Sequence, residues 1–148
     1  MRIKTVSNRL VVRTLTALLS FGALSAFAGS VLGIAFNGAG VPLEYLSTSP
    51  FTSFVVPGLL LGLVVGGTQL AAALALLARR GAPLLLSAVA GFGMLIWVFV
   101  ELAVIKQYSW LQTAYFALGV LELILVLALL GIIPALSERE VKQAGSRD

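Results

Sequence analysis

The sequence contains neither cysteine nor histidine, and these two absences exclude much of the chemistry that proteins use. Without cysteine, the chain forms no disulfide and offers no thiol nucleophile or iron–sulfur ligand. Without histidine, it lacks an imidazole base, and the usual protein ligands of zinc, copper and haem iron are missing. We therefore expect no metal and no cofactor. No nucleophile–base spacing is recognisable among the remaining Glu, Tyr, Lys and Ser residues, so a non-enzymatic protein is favoured and an enzyme remains the alternative.

Charged residues are also scarce. They make up 11% of the 148 residues, hydrophobic residues make up 59%, and the mean hydropathy is +1.06. A soluble domain carries about 25% charged residues, so this chain cannot cover a surface that faces water. We predict an integral membrane protein with a single domain over residues 1–148. The net charge of +4 does not indicate a nucleic-acid partner, because the basic residues flank the apolar segments, as membrane topology requires.

Four long apolar segments are present. They cover residues 14–36, 54–78, 84–105 and 111–133. A helix rises about 1.5 Å per residue, so each segment is long enough to cross a hydrocarbon core of about 30 Å. None of them alternates polar and apolar residues with period two, so they are not the strands of a β-barrel. The predicted fold class is all-α, a four-helix transmembrane bundle.

The distribution of Lys and Arg predicts the orientation. With four spans, the N-terminal segment, the second connection and the C-terminal tail lie on the same side of the membrane. These three segments hold nine of the ten Lys and Arg residues: Arg2, Lys4, Arg9, Arg13, Arg79, Arg80, Arg139, Lys142 and Arg147. Only Lys106 falls on the other side. Because basic loops stay in the cytoplasm, we expect termini 1–13 and 137–148 to be cytoplasmic and the protein to lie in the inner (plasma) membrane.

The N-terminal segment has a second interpretation. A basic start, an apolar run and the triplet Ala26-Phe27-Ala28 are typical of a cleaved signal peptide. However, the segment "VLGIAF" extends the apolar run to 23 residues, which is too long for the apolar region of a signal peptide. We favour an uncleaved first helix.

The segment 37–53 between the first two spans is also open to two interpretations. Pro42 would begin a short helical turn, and Ser49-Pro50 would begin the second helix early, with a kink at Pro57. The alternative is an ordinary amphipathic loop.

Small residues recur every four positions in the first two spans, at Gly58, Gly62 and Gly66 and at Gly29 and Gly33. Such rows allow two helix backbones to approach closely in lipid. We favour packing between these two helices within one chain, and the alternative is the seam of a homodimer.

Glu122 lies at the midpoint of the fourth span. A charged side chain at that depth costs at least about 2.5–3.5 kcal/mol, and no Lys or Arg lies inside any span. We therefore expect a neutral Glu122 that is hydrogen-bonded to a neighbour. Ser25, Gln69 and Trp97 lie at similar depth, and Tyr115 shares a helix face with Glu122.

Glu101 lies near the end of the third span, at about the depth of Tyr115. A polar line through Glu101, Tyr115 and Glu122 would form a proton relay or the polar lining of a ligand cavity. Alternatively, Glu101 reaches interfacial water and Glu122 is a structural hydrogen-bonding residue.

Several short motifs carry a family resemblance: "GVPL" at 40–43, "SPF" at 49–51, "PGL" at 57–59 and "SWLQTAYFALG" at 109–119. With these motifs the chain resembles a family of small, uncharacterised bacterial four-helix membrane proteins. In architecture it is also similar to DoxX-like membrane proteins. The resemblance implies the fold but no activity. It implies no acid at position 101, where family members often carry Gln.

Three functions follow from these features. The first is a non-enzymatic bundle whose interior binds a small apolar or lipid-like molecule or docks a membrane partner. The second is a proton-coupled carrier or pore that uses Glu122. The third is a membrane enzyme acting on lipid or quinone.

Overall fold

The structure is a computed structural model that describes residues 2–132, with side chains from residue 8 onward. Its four long helices are α1 (Arg2–Phe36), α2 (Val55–Ala78), α3 (Pro83–Ile105) and α4 (Trp110–Leu129). Helix α2 contains a π-helical segment at Leu61–Gly66. The end of the fourth predicted span at residue 133 and the tail 137–148 lie outside the described residues.

The predicted fold class is confirmed, because all four helices are long and apolar enough to cross a membrane. The described part of the chain contains no strand. Helix α1 begins well before the predicted span, since no Gly or Pro interrupts the sequence between Arg2 and Phe21. Helix α4 ends at Leu129, where Gly131 adopts a left-handed conformation with φ +74°.

The connections are short and are fixed by local hydrogen bonds. A capping box begins α4, in which the Ser109 amide donates to Gln112 Oε1 at 2.8 Å and the Ser109 hydroxyl accepts from the Leu111 amide. Helix α2 ends at Ala78, the next residue Arg79 is left-handed with φ +52°, and Pro83 begins α3.

The longest connection contains a 3₁₀ turn at Leu43–Leu46, directly after Pro42, as one of the two interpretations predicted. The early helix start at Ser49 is wrong, because α2 begins at Val55. The Ser49 hydroxyl instead accepts from the Phe51 amide at 3.1 Å and forms a local turn. Pro57 lies in the first turn of α2, where its missing N–H breaks no helical hydrogen bond.

Glycines bring α1 and α2 together within the chain. A Cβ atom added to Gly58 would lie 3.1 Å from the backbone oxygen of Ser30, and one added to Gly66 would lie 3.0 Å from the Phe27 ring. The remaining predicted packing glycines face the same pair of helices, at Gly29, Gly33 and Gly62. At Gly33 and Gly58 the nearest atoms of the facing helix belong to its backbone, so the close approach of the two backbones requires glycine there.

Helices α3 and α4 meet through a second glycine pair. A Cβ atom on Gly119 would lie 3.1 Å from the backbone oxygen of Gly91. Helix α4 also packs against α1, which closes the bundle. One end of the bundle carries the connections 37–54 and 106–109, hereafter the cavity end. The opposite end carries the connection 79–82 and is filled by a core cluster: Leu15, Leu19, Ala72, Ala73, Leu76, Ala90 and Val126.

Candidate functional site

A buried amide–carboxyl pair lies in the middle of the bundle. Gln69 on α2 and Glu122 on α4 are both 0% exposed, and Gln69 Nε2 donates to Glu122 Oε2 at 2.9 Å. The same nitrogen lies 3.5 Å from the backbone oxygen of Ala90 on α3. These two bonds connect three helices at one level.

Helix α1 contributes Gly22 at this level. A Cβ atom on Gly22 would lie 2.8 Å from Gln69 Oε1 and 2.9 Å from its Cδ, so the side chain of Gln69 occupies the space that glycine leaves. Sequence reasoning missed Gly22. Its spacing from Ala26, Gly29 and Gly33 places it on the same face of α1, and this spacing was the available signal.

The pair leaves two acceptors without a partner. Gln69 Oε1 and Glu122 Oε1 are buried and make no hydrogen bond with any of residues 8–132. An ionised carboxylate and an amide oxygen only accept hydrogen bonds, so neither atom satisfies the other unless Glu122 carries a proton. A proton on Glu122 would supply a donor to this pair. The neutral Glu122 expected from the sequence stays a prediction.

A cavity of about 830 Å³ lies at the cavity end of the bundle. All four long helices and both connections at this end contribute to its wall. Four of the predicted site residues line it: Ser25, Trp97, Glu101 and Tyr115. The other two, Gln69 and Glu122, do not line it.

An apolar cluster, hereafter the apolar layer, forms the wall of the cavity that lies toward the buried pair. It consists of Ala26, Val65 and Met94, with Leu61, Trp97, Tyr115 and Leu118 packed against them, and all of these except Leu118 line the cavity. Val65 precedes Gln69 by one helical turn, and Met94 follows Ala90 by one turn. The predicted polar line from Glu101 to Glu122 is therefore divided, and the six predicted residues form two separate groups.

Glu101 is the acidic residue on the cavity wall. Its side chain is half-buried, and among the described residues its carboxylate has neither an ion pair nor a hydrogen-bond partner. Most of the wall is hydrocarbon, and its uncharged polar residues are Ser25, Tyr45, Gln107, Tyr108, Ser109, Gln112 and Tyr115. The Ser25 hydroxyl donates to its own helix, to Gly22 O at 3.0 Å, and its lone pairs remain available to a ligand.

No cluster with metal-binding composition is present in the described part of the chain, where no three Asp or Glu side chains come together. The site therefore combines a largely apolar cavity, one carboxylate on its wall and several uncharged hydrogen-bonding groups. Such an arrangement is suited to holding an amphipathic molecule.

The resemblance to a bacterial membrane protein family remains a prediction. No protein-family model matches the chain, and none of the curated proteins or solved structures with which it was compared is similar to it.

Proposed function

We propose that this protein is a non-enzymatic integral membrane protein that binds a small lipid-like molecule in the cavity formed by its four helices. The observation that carries the proposal is the cavity of about 830 Å³, with its mostly hydrocarbon wall and few polar groups. Sites for small molecules typically have about 300–1,000 Å³ and this kind of lining.

The proposed orientation places both termini in the cytoplasm of a bacterial cell and the protein in the inner membrane. Arg79 and Arg80 lie at the end of the bundle opposite the cavity, on the side that holds nine of the ten basic residues under four spans. The positive-inside rule then places the cavity in the outer half of the membrane. A molecule that partitions into the outer leaflet has direct access to that depth.

The buried pair supports the binding role more than the carrier role. A proton carrier has to bring water or a charge to Glu122, but this residue is 0% exposed and lies beneath the apolar layer. We assign the Gln69–Glu122 pair to holding the helices in register, so that the cavity above it keeps its shape. The glycines of α1 and α2 already contact the facing helix of the same chain, so a homodimer interface is not needed to explain their spacing.

The two tryptophans provide a test of the binding role. Trp97 lines the cavity, whereas Trp110 is 71% exposed and does not. The chain contains no other tryptophan, so Trp110→Phe leaves a reporter inside the cavity and Trp97→Phe leaves one outside. The purified protein in nanodiscs is titrated with a brominated long-chain alcohol, because bromine quenches tryptophan fluorescence on contact.

The expected result is saturable quenching in Trp110→Phe and weak, non-saturating quenching in Trp97→Phe. The second variant reports partition of the alcohol into the surrounding lipid. Parallel, non-saturating quenching of both variants would overturn the proposal.

A further inference from the structure

We propose that the ligand is an amphiphilic amine, with its apolar part in the cavity and its ammonium group beside Glu101. This inference rests on the proposed binding function and specifies the chemical class of the ligand. It is carried by the charge of the wall: Glu101 is acidic, and no Lys or Arg is among the described residues that line the cavity.

The unpartnered carboxylate favours a cation. Glu101 is half-buried, and no described residue offers it a hydrogen bond or an opposite charge. A charge that is withdrawn from water is costly unless it is paired, and an ammonium group pairs with a carboxylate through short, charge-assisted hydrogen bonds. The ligand then provides the partner that the protein does not.

The same wall disfavours anions. A fatty acid carboxylate or a lipid phosphate would meet Glu101 as a like charge, with no basic residue on the wall to offset the repulsion. This argument separates amines from fatty acids and from lipids with an anionic headgroup. A neutral alcohol meets no repulsion but gains no charge pairing.

Aromatic side chains on the cavity wall add to the preference. Trp97 lies one helical turn before Glu101 on α3, and Tyr45 and Tyr115 also line the cavity. Aromatic faces attract ammonium groups, and tyrosine oxygens accept hydrogen bonds from their N–H groups. The other charged residues near this end lie off the wall: Glu44 and Lys106 are both exposed.

The test uses three competitors of equal chain length: decylamine, decanol and decanoate. Each is added to the Trp110→Phe protein in nanodiscs of uncharged lipid, at neutral pH, with the brominated alcohol bound. Recovery of Trp97 fluorescence measures displacement. We expect decylamine to displace the alcohol at a concentration about tenfold lower than decanol does, and decanoate to be the weakest.

Two variants then locate the preference. Glu101→Gln removes the charge with little change in size, and decylamine and decanol should become equal within about twofold. Glu44→Gln is the matched control, because it removes an acid from the same end of the bundle without touching the cavity wall. It should retain the preference for the amine.

Three results would overturn the inference. If the brominated alcohol is saturable but decylamine competes no better than decanol, the binding function stands and the amine class is wrong. If Glu44→Gln reduces the preference as much as Glu101→Gln does, the preference comes from surface charge. If no saturable quenching occurs at all, the proposed function fails, and the amine ligand falls with it.

A fourth competitor, decyltrimethylammonium, carries a permanent positive charge. In the Trp110→Phe protein, which retains Glu101, it should also compete better than decanol.

Discussion

The carboxyl of Glu122 and the amide of Gln69 meet where no water or counter-charge is available. In their one mutual hydrogen bond, Gln69 Nε2 donates to Glu122 Oε2 at 2.9 Å, and this bond leaves Gln69 Oε1 and Glu122 Oε1 without a partner among residues 8–132. A buried acceptor without a partner costs about 1–3 kcal/mol. A protonated Glu122 removes this cost, because it introduces the donor that the pair lacks.

We therefore predict that Glu122 is protonated at neutral pH. Infrared spectroscopy of the protein in nanodiscs should show the C=O stretch of a protonated carboxyl, and this band should be absent in Glu122→Gln. A wild-type spectrum identical to that of the variant in this region would contradict the hydrogen-bond accounting.

The same pair predicts how substitutions at position 122 change stability. Glu122→Leu deprives Gln69 of its side-chain partner in a site that is 0% exposed, and should lower the free energy of unfolding by about 1–3 kcal/mol. Glu122→Gln retains an acceptor and adds a donor, so it should change stability by less than about 1 kcal/mol. Unfolding in mixed micelles, followed by circular dichroism, measures both. Equal losses in the two variants would show that hydrogen bonding to Gln69 is not the cause.

At the scale of the helices, the packing of the bundle depends on glycines, because they leave space for a neighbouring helix or side chain. The amide of Gln69 lies against Gly22 of α1, and glycine pairs bring α1 to α2 and α3 to α4. A methyl group in such a contact displaces a neighbour or separates two helices.

Gly22→Ala should destabilise the bundle by about 1–3 kcal/mol, because its Cβ would lie 2.8 Å from Gln69 Oε1. The matched control is Gly93→Ala, whose nearest neighbour is Thr68 Oγ1 at an ordinary 3.8 Å. In the control, the higher helix propensity of alanine should leave stability unchanged or slightly raised. The two unfolding curves give the comparison, and equal stability of the two variants would refute the role of Gly22.

The helices, the glycine contact between α1 and α2 and the candidate pairing of Gln69 with Glu122 were predictable from sequence, but the other contacts were not. Long apolar runs identify the four spans, because only a helix satisfies its own backbone hydrogen bonds in lipid. The end of α4 depends on the left-handed conformation of Gly131. The early beginning of α1 depends on the absence of Gly and Pro from the polar segment that precedes the first span. A single sequence does not state how each helix is rotated, so it gave the depth of Glu122 but not its separation from the cavity or its contact with Gly22.

At the scale of the whole molecule, two polar regions lie at different places in the bundle. The cavity, with Glu101 on its wall, lies at one end of the bundle, and the buried pair holds the helices together beneath an apolar layer. The proposed orientation turns the cavity toward the outer leaflet and the arginines of the opposite end toward the cytoplasm.

The orientation can be tested directly because the chain has no native cysteine. Lys106→Cys and Arg80→Cys place single thiols at opposite ends of the bundle, both at exposed positions. A membrane-impermeant maleimide should label Lys106→Cys in intact cells and Arg80→Cys only after the membrane is permeabilised. The reverse pattern would invert the assignment and place the cavity on the cytoplasmic side.

The central claim is that ligand binding belongs to the cavity and not to Glu122. The most direct measurement is the affinity of the brominated alcohol, from Trp97 quenching, in two variants of the Trp110→Phe protein. Ser25→Phe adds a ring to the cavity wall and should abolish saturable quenching, whereas Glu122→Gln should leave the affinity unchanged within about twofold. Loss of binding in Glu122→Gln, with binding retained in Ser25→Phe, would contradict this account and return the intramembrane carboxyl to the centre of the function.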